Sequence, residues 1–360
     1  MNGTPPPPAQ PPSRSTSASP PGAAASVPTI DIAPLLDPTA SEESRDAVAA
    51  RIGEACEHFG FLQIVGHGID PVLRADLHRA AERFFALDDD EKDAVAMRHG
   101  GRAWRGWFGH GGELTSGIPD DKEGYYFGRE LAPDDPAVLA GRPLHGPNLF
   151  PERPAELGPL VLEWIEQVTA VGQVVLSGIA RSLGLEPDWF QRWTADPTVL
   201  FRIFHYPPPP EGFAGSWGVA EHTDYGLLTL LVQDDTGGLE VRVTGADGHG
   251  EWIDVPPAPD AVVCNLGDML ERVTGGRYRS TPHRVRLPSS DRYSFPLFLD
   301  PAWDAEVTPI PGFEPTERAL AEAAAGRWDG TGVLDVSGPY GDYLLAKVSK
   351  VFPELFREAL

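Results

Sequence analysis

A succession of short apolar segments between Leu200 and Leu299 limits the possible folds more than any other feature of this chain. The segments are Leu200–Tyr206, Leu227–Gln233, Leu239–Val243, Glu251–Val255, Ala261–Leu266, His283–Leu287 and Tyr293–Leu299, with turn signals such as Gly237-Gly238 and Asp247-Gly248 between them. They are too short for ordinary helices, and their branched and aromatic content suits pleated strands. Many short strands at this spacing bury their apolar faces in a barrel or a sandwich. The expected class is mainly β with flanking helices.

Two histidines and an aspartate punctuate this region. His222-Thr223-Asp224 lies just before the second segment, and His283 follows Asp224 by 59 positions. Two imidazoles and one hard anionic oxygen leave coordination positions open, which is the ligand set of non-haem Fe(II) oxygenases, whereas zinc is usually held in a closed tetrahedral set. Ten histidines in 360 residues make a chance His-x-Asp unsurprising. Weight comes from Thr281-Pro282-His283-Arg284-Val285 and, nine positions after His283, from Arg292-Tyr293-Ser294 at the head of an apolar run. Side chains alternate along a strand, so Arg292 and Ser294 face the same way. A guanidinium beside a hydroxyl makes a fork for a carboxylate; the alternative for Arg292 is a structural salt bridge.

At these residues the chain resembles the isopenicillin N synthase-like family of iron- and 2-oxoglutarate-dependent oxygenases, over nearly everything from Val27 to the C-terminus. The resemblance implies a double-stranded β-helix, or jelly roll, whose two sheets form an open-ended pocket. It implies His222, Asp224 and His283 as ligands of Fe(II), Arg292 and Ser294 as contacts of the distal carboxylate of 2-oxoglutarate, and Tyr206 as a third contact. The family often reads Asn-x-Tyr where this chain has Phe204-His205-Tyr206, so the asparagine contact is absent. With dioxygen as the other co-substrate, the activity implied is oxidation of a C–H bond of a small soluble metabolite, by hydroxylation, desaturation or ring closure. Two alternatives stay open. One is an isopenicillin N synthase-like oxidase that dispenses with 2-oxoglutarate and points Arg292 and Ser294 at a substrate carboxylate; the other is a catalytically silent metabolite-binding jelly roll. Candidates for the substrate wall are Phe298, on the Arg292 face of its strand, and Trp104 or Trp107 from the glycine-rich aromatic loop that begins at Gly101.

The rest of the chain flanks this core. Residues 1–26 hold four consecutive prolines, many Ser and Ala and one charged side chain, Arg14, and are expected to be a disordered tail. Residues 27–150 are expected to form an N-terminal α/β region, and 151–360 a helix followed by the jelly roll and a C-terminal helix. Val27–Ile32 reads as a strand. Thr39-x-x-Glu42 has the form of a capping box ahead of Val48, Ile52, Ala55-Cys56 and Phe59, and Gly60 ends that helix. Asp70-Pro71 caps a second helix with Leu73, Leu77, Ala80-Ala81 and Phe84 inward, and 88–93 reads as an acidic linker. Phe59-Gly60-Phe61 and His67-Gly68-Ile69 also resemble the family, but His67 sits in a glycine turn and is expected to be structural. Leu160, Trp164, Val168, Val171, Val175 and Ile179 mark a long helix from Leu157 to Leu183 with one buried stripe. Helices are also expected near Glu317–Ala325 and from about Asp342, the last one packing rather than covering substrate.

A formal charge of −24 argues against nucleic acid, which needs basic patches. No apolar run of membrane-spanning length stands out in the sequence, and the two cysteines, Cys56 and Cys264, form no metal-type cluster. The expectation is a cytoplasmic protein with reduced thiols whose partner is a small molecule.

Overall fold

The structure, a computed structural model, describes residues 26–209, 217–244, 250–317, 320, 332–334, 336–353 and 356–357. The tail expected over 1–26, the proline-rich loop from Pro207 to Gly212 and the helix expected near Glu317–Ala325 lie wholly or partly outside them. The strands, in chain order, are β1 (Thr29–Asp31), β2 (Phe61–Val65), β3 (Gly106–Phe108), β4 (Leu114–Thr115), β5 (Ile118–Pro119), β6 (Glu123–Gly128), β7 (Thr198–Tyr206), β8 (Val219–His222), β9 (Leu228–Gln233), β10 (Leu239–Thr244), β11 (Gly250–Asp254), β12 (Val262–Leu266), β13 (His283–Val285) and β14 (Arg292–Asp300). The seven strands expected between Leu200 and Leu299 are all present, with ends displaced by two residues at most.

A larger sheet has the order β1-β2-β12-β9-β14-β7-β6-β3, and a smaller one the order β11-β10-β13-β8. The two face each other as a jelly roll with a cavity between them, lined from β7, β9, β12 and β14 on one side and from β8, β10 and β13 on the other. Strands from the N-terminal part extend the larger sheet at both edges. β6 escapes a reading by alternation because Glu123–Gly128 is buried throughout and carries glycine at both its second and last positions.

Local signals explain most of the flanking helices. Asp70 accepts a hydrogen bond from the Val72 N–H at 2.8 Å, and Pro71 opens the helix Pro71–Phe85 as expected. The helix Glu42–His58 is capped by Ser41, whose hydroxyl accepts from the Ser44 N–H at 3.2 Å, and not by Thr39. Thr39 is diverted to the Asp37 carboxylate, to which both its N–H and its hydroxyl donate at 2.7 Å. The acidic stretch expected as a linker forms a short helix, Asp89–Asp93, because its one lysine is buried: Lys92 reaches Glu123 at 3.0 Å. After the first long helix, Gly60 turns with φ +63°, and a Cβ there would meet Thr281 Oγ1 at 2.3 Å. That close approach brings the Thr281–His283 segment down onto β2.

The helix Leu157–Ser182 is, by length and composition, long and apolar enough to cross a bilayer, which corrects the reading that no run reaches that length. Its stripe is used on protein instead. It lies across the helices Glu42–His58 and Pro71–Phe85 and on β7, β9 and β14, with Gly172 letting Leu299 and Leu230 approach. Cys56 and Cys264 are buried and free.

Candidate active site

Pairing of the smaller sheet creates the metal-type cluster. His222 ends β8, His283 begins β13, and the two stand directly opposite in the antiparallel ladder, with ring centres 4.2 Å apart. Asp224 lies in the turn that follows β8. That turn is stapled to the helix Asp268–Val273: the Asp224 carbonyl accepts from the Asp268 N–H at 2.8 Å, and the Gly226 carbonyl from the Met269 N–H at 2.9 Å. A Cβ on Gly226 would fall 1.6 Å from Asp300 Oδ1, so only glycine permits this turn. As a result Asp224 Oδ1 stands 3.8 Å from Nε2 of His222 and 3.8 Å from Nε2 of His283, and one ligand atom from each residue lies within 4.8 Å of the others.

The surroundings fix which atoms are free to ligate. Nδ1 of His222 donates to the Ala220 carbonyl at 2.8 Å and Nδ1 of His283 to the Thr281 carbonyl at 3.2 Å, leaving both Nε2 lone pairs for a metal. Asp224 Oδ2 accepts from the Thr229 hydroxyl and from the Asn265 amide at 2.7 Å, which leaves Oδ1 toward the imidazoles. Burial and the neighbouring His222 push the His283 imidazole down to about 4, so it is neutral at neutral pH. Burial raises the Asp224 carboxyl, but the two imidazoles, Thr229 and Asn265 outweigh it and hold the group below the ordinary range. A neutral imidazole beside a carboxylate is the state a divalent metal requires. Thr229→Ala and Asn265→Ala are each expected to weaken Fe(II) binding about 10- to 100-fold, the usual effect of losing an outer-shell partner. Anaerobic titration of the metal-free protein measures this, and unchanged affinity in both variants would contradict the positioning role.

The other end of the cavity is built by β14 and its neighbours. The register Arg292↔Tyr206, Ser294↔Phe204 and Phe298↔Leu200 turns alternate side chains of both strands into the cavity. Arg292 is 1% exposed: Nε donates to the Gly237 carbonyl at 2.6 Å, Nη2 reaches Gln233 Oε1 only at 3.5 Å, and Nη1 has no partner among the described residues. Among the described residues no carboxylate comes within 4.0 Å of it, so the structural salt bridge is not formed. A buried guanidinium with an unsatisfied N–H is costly alone, and it fits an incoming carboxylate. Phe204, at the position of the missing asparagine, has the buried Lys122 ammonium 4.5 Å from its ring centre. That lysine is already paired with Asp120 and Glu113.

Phe298 and Trp104 line the cavity, whereas Trp107 does not. Its indole N–H donates to Glu123 at 2.8 Å and its face lies under the Lys92 ammonium, because pairing of β3 with β6 turns it toward that acid. Trp104, at φ +55°, packs instead on Phe352 and Phe356. The helix Tyr340–Val351 supplies Leu344, Val348 and Val351, followed by Phe352, to the cavity wall. His67 is a strut: Nδ1 accepts from the Ile69 N–H at 3.1 Å, so Nε2 carries the proton donated to the Asp260 carbonyl at 2.8 Å.

Besides Thr229 and Asn265, the sequence reading missed Arg202 and Asp300, which also face the cavity. Asp300 Oδ2 accepts from the Tyr340 hydroxyl at 2.6 Å while Oδ1 is buried without a partner among the described residues. Burial, aided by the Asp224 charge and against the Tyr340 hydrogen bond, pushes its carboxyl up to about 7. An unfolded aspartate titrates near ~3.9, so the native state loses stability as pH rises from about 4 to about 7, by at most about 4 kcal/mol. Asp300→Asn cannot ionise. It is expected to melt above the parent at pH ~8 and to lose that advantage at pH ~5; an equal difference at both values would contradict the assignment.

The comparisons with known proteins agree with this geometry. Residues 27–153 match the family model described as non-haem dioxygenase in morphine synthesis N-terminal, and residues 197–301 match the 2OG-Fe(II) oxygenase superfamily. A Dictyostelium discoideum protein named a probable iron/ascorbate oxidoreductase is 43% identical, covering 93% of this chain and 97% of its own. A 2-oxoglutarate-dependent dioxygenase of Monascus ruber is 37% identical, covering 79% of this chain and 87% of its own. Among solved structures, a full-length Neurospora crassa protein in complex with alpha-KG and thymine superposes with a TM-score of 0.73 at 27% identity, covering 90% of this chain and 96% of that one. The chain thus belongs to the 2OG-Fe(II) oxygenase superfamily and is an Fe(II)- and 2-oxoglutarate-dependent dioxygenase.

Proposed function

We propose that His222, Asp224 and His283 hold Fe(II), and that Arg292, with Ser294 and Tyr206, binds the distal carboxylate of 2-oxoglutarate at the other end of the same cavity. The observation that carries this reading is the buried Arg292 guanidinium, with Nη1 unpartnered, sharing one cavity with three converging ligand atoms. Iron, when bound with the keto acid and dioxygen, supplies the oxidation of a substrate C–H bond with release of succinate and carbon dioxide. The chain's own residues do the rest. Thr229 and Asn265 keep Asp224 Oδ1 aimed between the imidazoles, the carbonyls of Ala220 and Thr281 hold the imidazole tautomers, and Trp104, Phe298, Leu344 and Val348 cover the cavity against water.

The substrate is a small soluble metabolite, oxidised by hydroxylation, desaturation or ring closure. The charge of −24 and the two buried free cysteines support a cytoplasmic enzyme that binds neither nucleic acid nor membrane. A metabolite screen scored by succinate release tests the reading. Succinate that tracks iron, the keto acid and one metabolite is the expected result; turnover of a metabolite with iron and dioxygen but without the keto acid would favour the oxidase.

A further inference from the structure

A second cavity, of about 290 Å³, lies apart from the active site, and among the described residues the two share only Leu144 in their walls. Its size is near the lower end of small-molecule sites, roughly 300–1,000 Å³. Four guanidiniums line it, those of Arg105, Arg129, Arg142 and Arg192, against two carboxylates, Asp196 and Asp304. Both acids have exposed side chains, 74% and 71% accessible, and each is already paired, Asp196 with Arg129 and Asp304 with Arg142 at 2.6 Å. In a chain with a net charge of −24, this is a local reversal of sign.

Two buried polar atoms in the same wall are left unsatisfied. Arg105 is 3% exposed; Nη1 donates to the Gly146 carbonyl and to Asn148 Oδ1 at 3.3 Å and Nη2 to the Leu144 carbonyl at 3.4 Å, but Nε has no partner among the described residues. Thr198, 7% exposed at the start of β7, donates its backbone N–H to the Pro301 carbonyl at 3.3 Å, and its hydroxyl has no partner among the described residues. Such groups are rare in a native interior, and each costs free energy until something polar meets it. Glu130, the acid that acts on Arg105 through space, is held by the Asn148 N–H at 2.9 Å and its side-chain amide at 2.6 Å. Burial, against the pull of Glu130 and aided by the charges of Arg202 and Arg129, brings the Arg105 pKa down to about 10. His145, in the same wall, is held below its ordinary range by burial and by Arg142, Arg105 and Arg129, against its hydrogen bond to the Pro143 carbonyl. Both shifts report a positive field short of anions. Fastening the segment 144–148 accounts for the two Nη atoms of Arg105, but not for its Nε or for the three arginines beside it.

We infer that this cavity binds a phosphate group, free or carried by a small metabolite, with Arg105 and Thr198 as its buried donors and Arg142 and Arg192 at its rim. A carboxylate is planar and one guanidinium fork satisfies it. A phosphate brings three acceptor oxygens and a charge of about −1.5 to −2, which suits donors on several sides and four guanidiniums facing two carboxylates. The site is separate from the iron and keto-acid residues and does not rest on their assignment.

The test uses the full chain loaded anaerobically with Fe(II) and 2-oxoglutarate, titrated by calorimetry at constant ionic strength with inorganic phosphate, glycerol 3-phosphate and acetate. One of the two phosphates is expected to bind at least about tenfold tighter than acetate, and the tighter of them identifies the source as the free ion or an ester. Arg142→Gln and Arg192→Gln, at positions outside the core, are each expected to weaken that binding about three- to tenfold, and Thr198→Val, which removes the hydroxyl and keeps the shape, to do likewise. Should Thr198→Val fail to fold, the two arginine variants decide. No preference for phosphate over acetate in the parent overturns the inference. So does a phosphate affinity unchanged in both arginine variants, since the ion would then sit elsewhere, on the metal or in the catalytic cavity.

Discussion

Arg292→Ala is expected to weaken 2-oxoglutarate binding by roughly thirtyfold to several thousandfold, the equivalent of about 2–5 kcal/mol for a carboxylate deprived of its charge-assisted fork. The effect is large because the site is buried and the Arg292 Nη1 has no partner among the described residues to fall back on. Arg292→Lys is expected to keep part of the affinity, since it retains the charge but not the planar fork. Ser294→Ala and Tyr206→Phe each remove one neutral hydroxyl and are expected to cost less. Anaerobic titration of the Fe(II) protein with the keto acid checks the series. A loss of less than about threefold in Arg292→Ala would mean that the guanidinium holds something else.

Replacing His222, Asp224 or His283 by Ala is expected to abolish tight Fe(II) binding and turnover while leaving the fold in place. His222 and Asp224 project from a strand end and a turn, and the apolar core of both sheets does not depend on them. An open catalytic site differs here from a structural zinc, whose loss unfolds the domain. Metal analysis after desalting and circular dichroism check the two halves of the expectation. Stoichiometric iron with full activity in any of the three variants would contradict the assignment.

The sequence exposed the β core because seven apolar runs were long enough to show and were separated by glycine turns. It exposed the metal-type cluster and the proposed carboxylate anchor because His222 and Asp224 are close in sequence and because Arg292 and Ser294 share the period of a strand. Thr229 and Asn265 stayed hidden for the opposite reason. Each is a polar residue inside an apolar strand, and only the pairing of β12 with β9, Asn265 opposite Thr229, shows that both reach one carboxylate. Arg202 was hidden likewise, its meaning depending on what faces it across the cavity. Trp104 and Trp107 are three residues apart in a loop whose left-handed turn at Trp104 no periodicity announces, and Trp104 is the one that lines the cavity. Thr39 and Ser41 both suit a cap, and the competing Asp37 carboxylate decided between them.

The most direct test of the central claim needs no substrate. Protein loaded with Fe(II) without oxygen is titrated with 2-oxoglutarate and followed in the visible range. A weak metal-to-ligand charge-transfer band that saturates with the keto acid, and whose midpoint moves to much higher concentration in Arg292→Ala, is the result predicted. Neither that band nor any slow conversion of 2-oxoglutarate to succinate in air would contradict it, and would turn Arg292 toward the substrate of an oxidase.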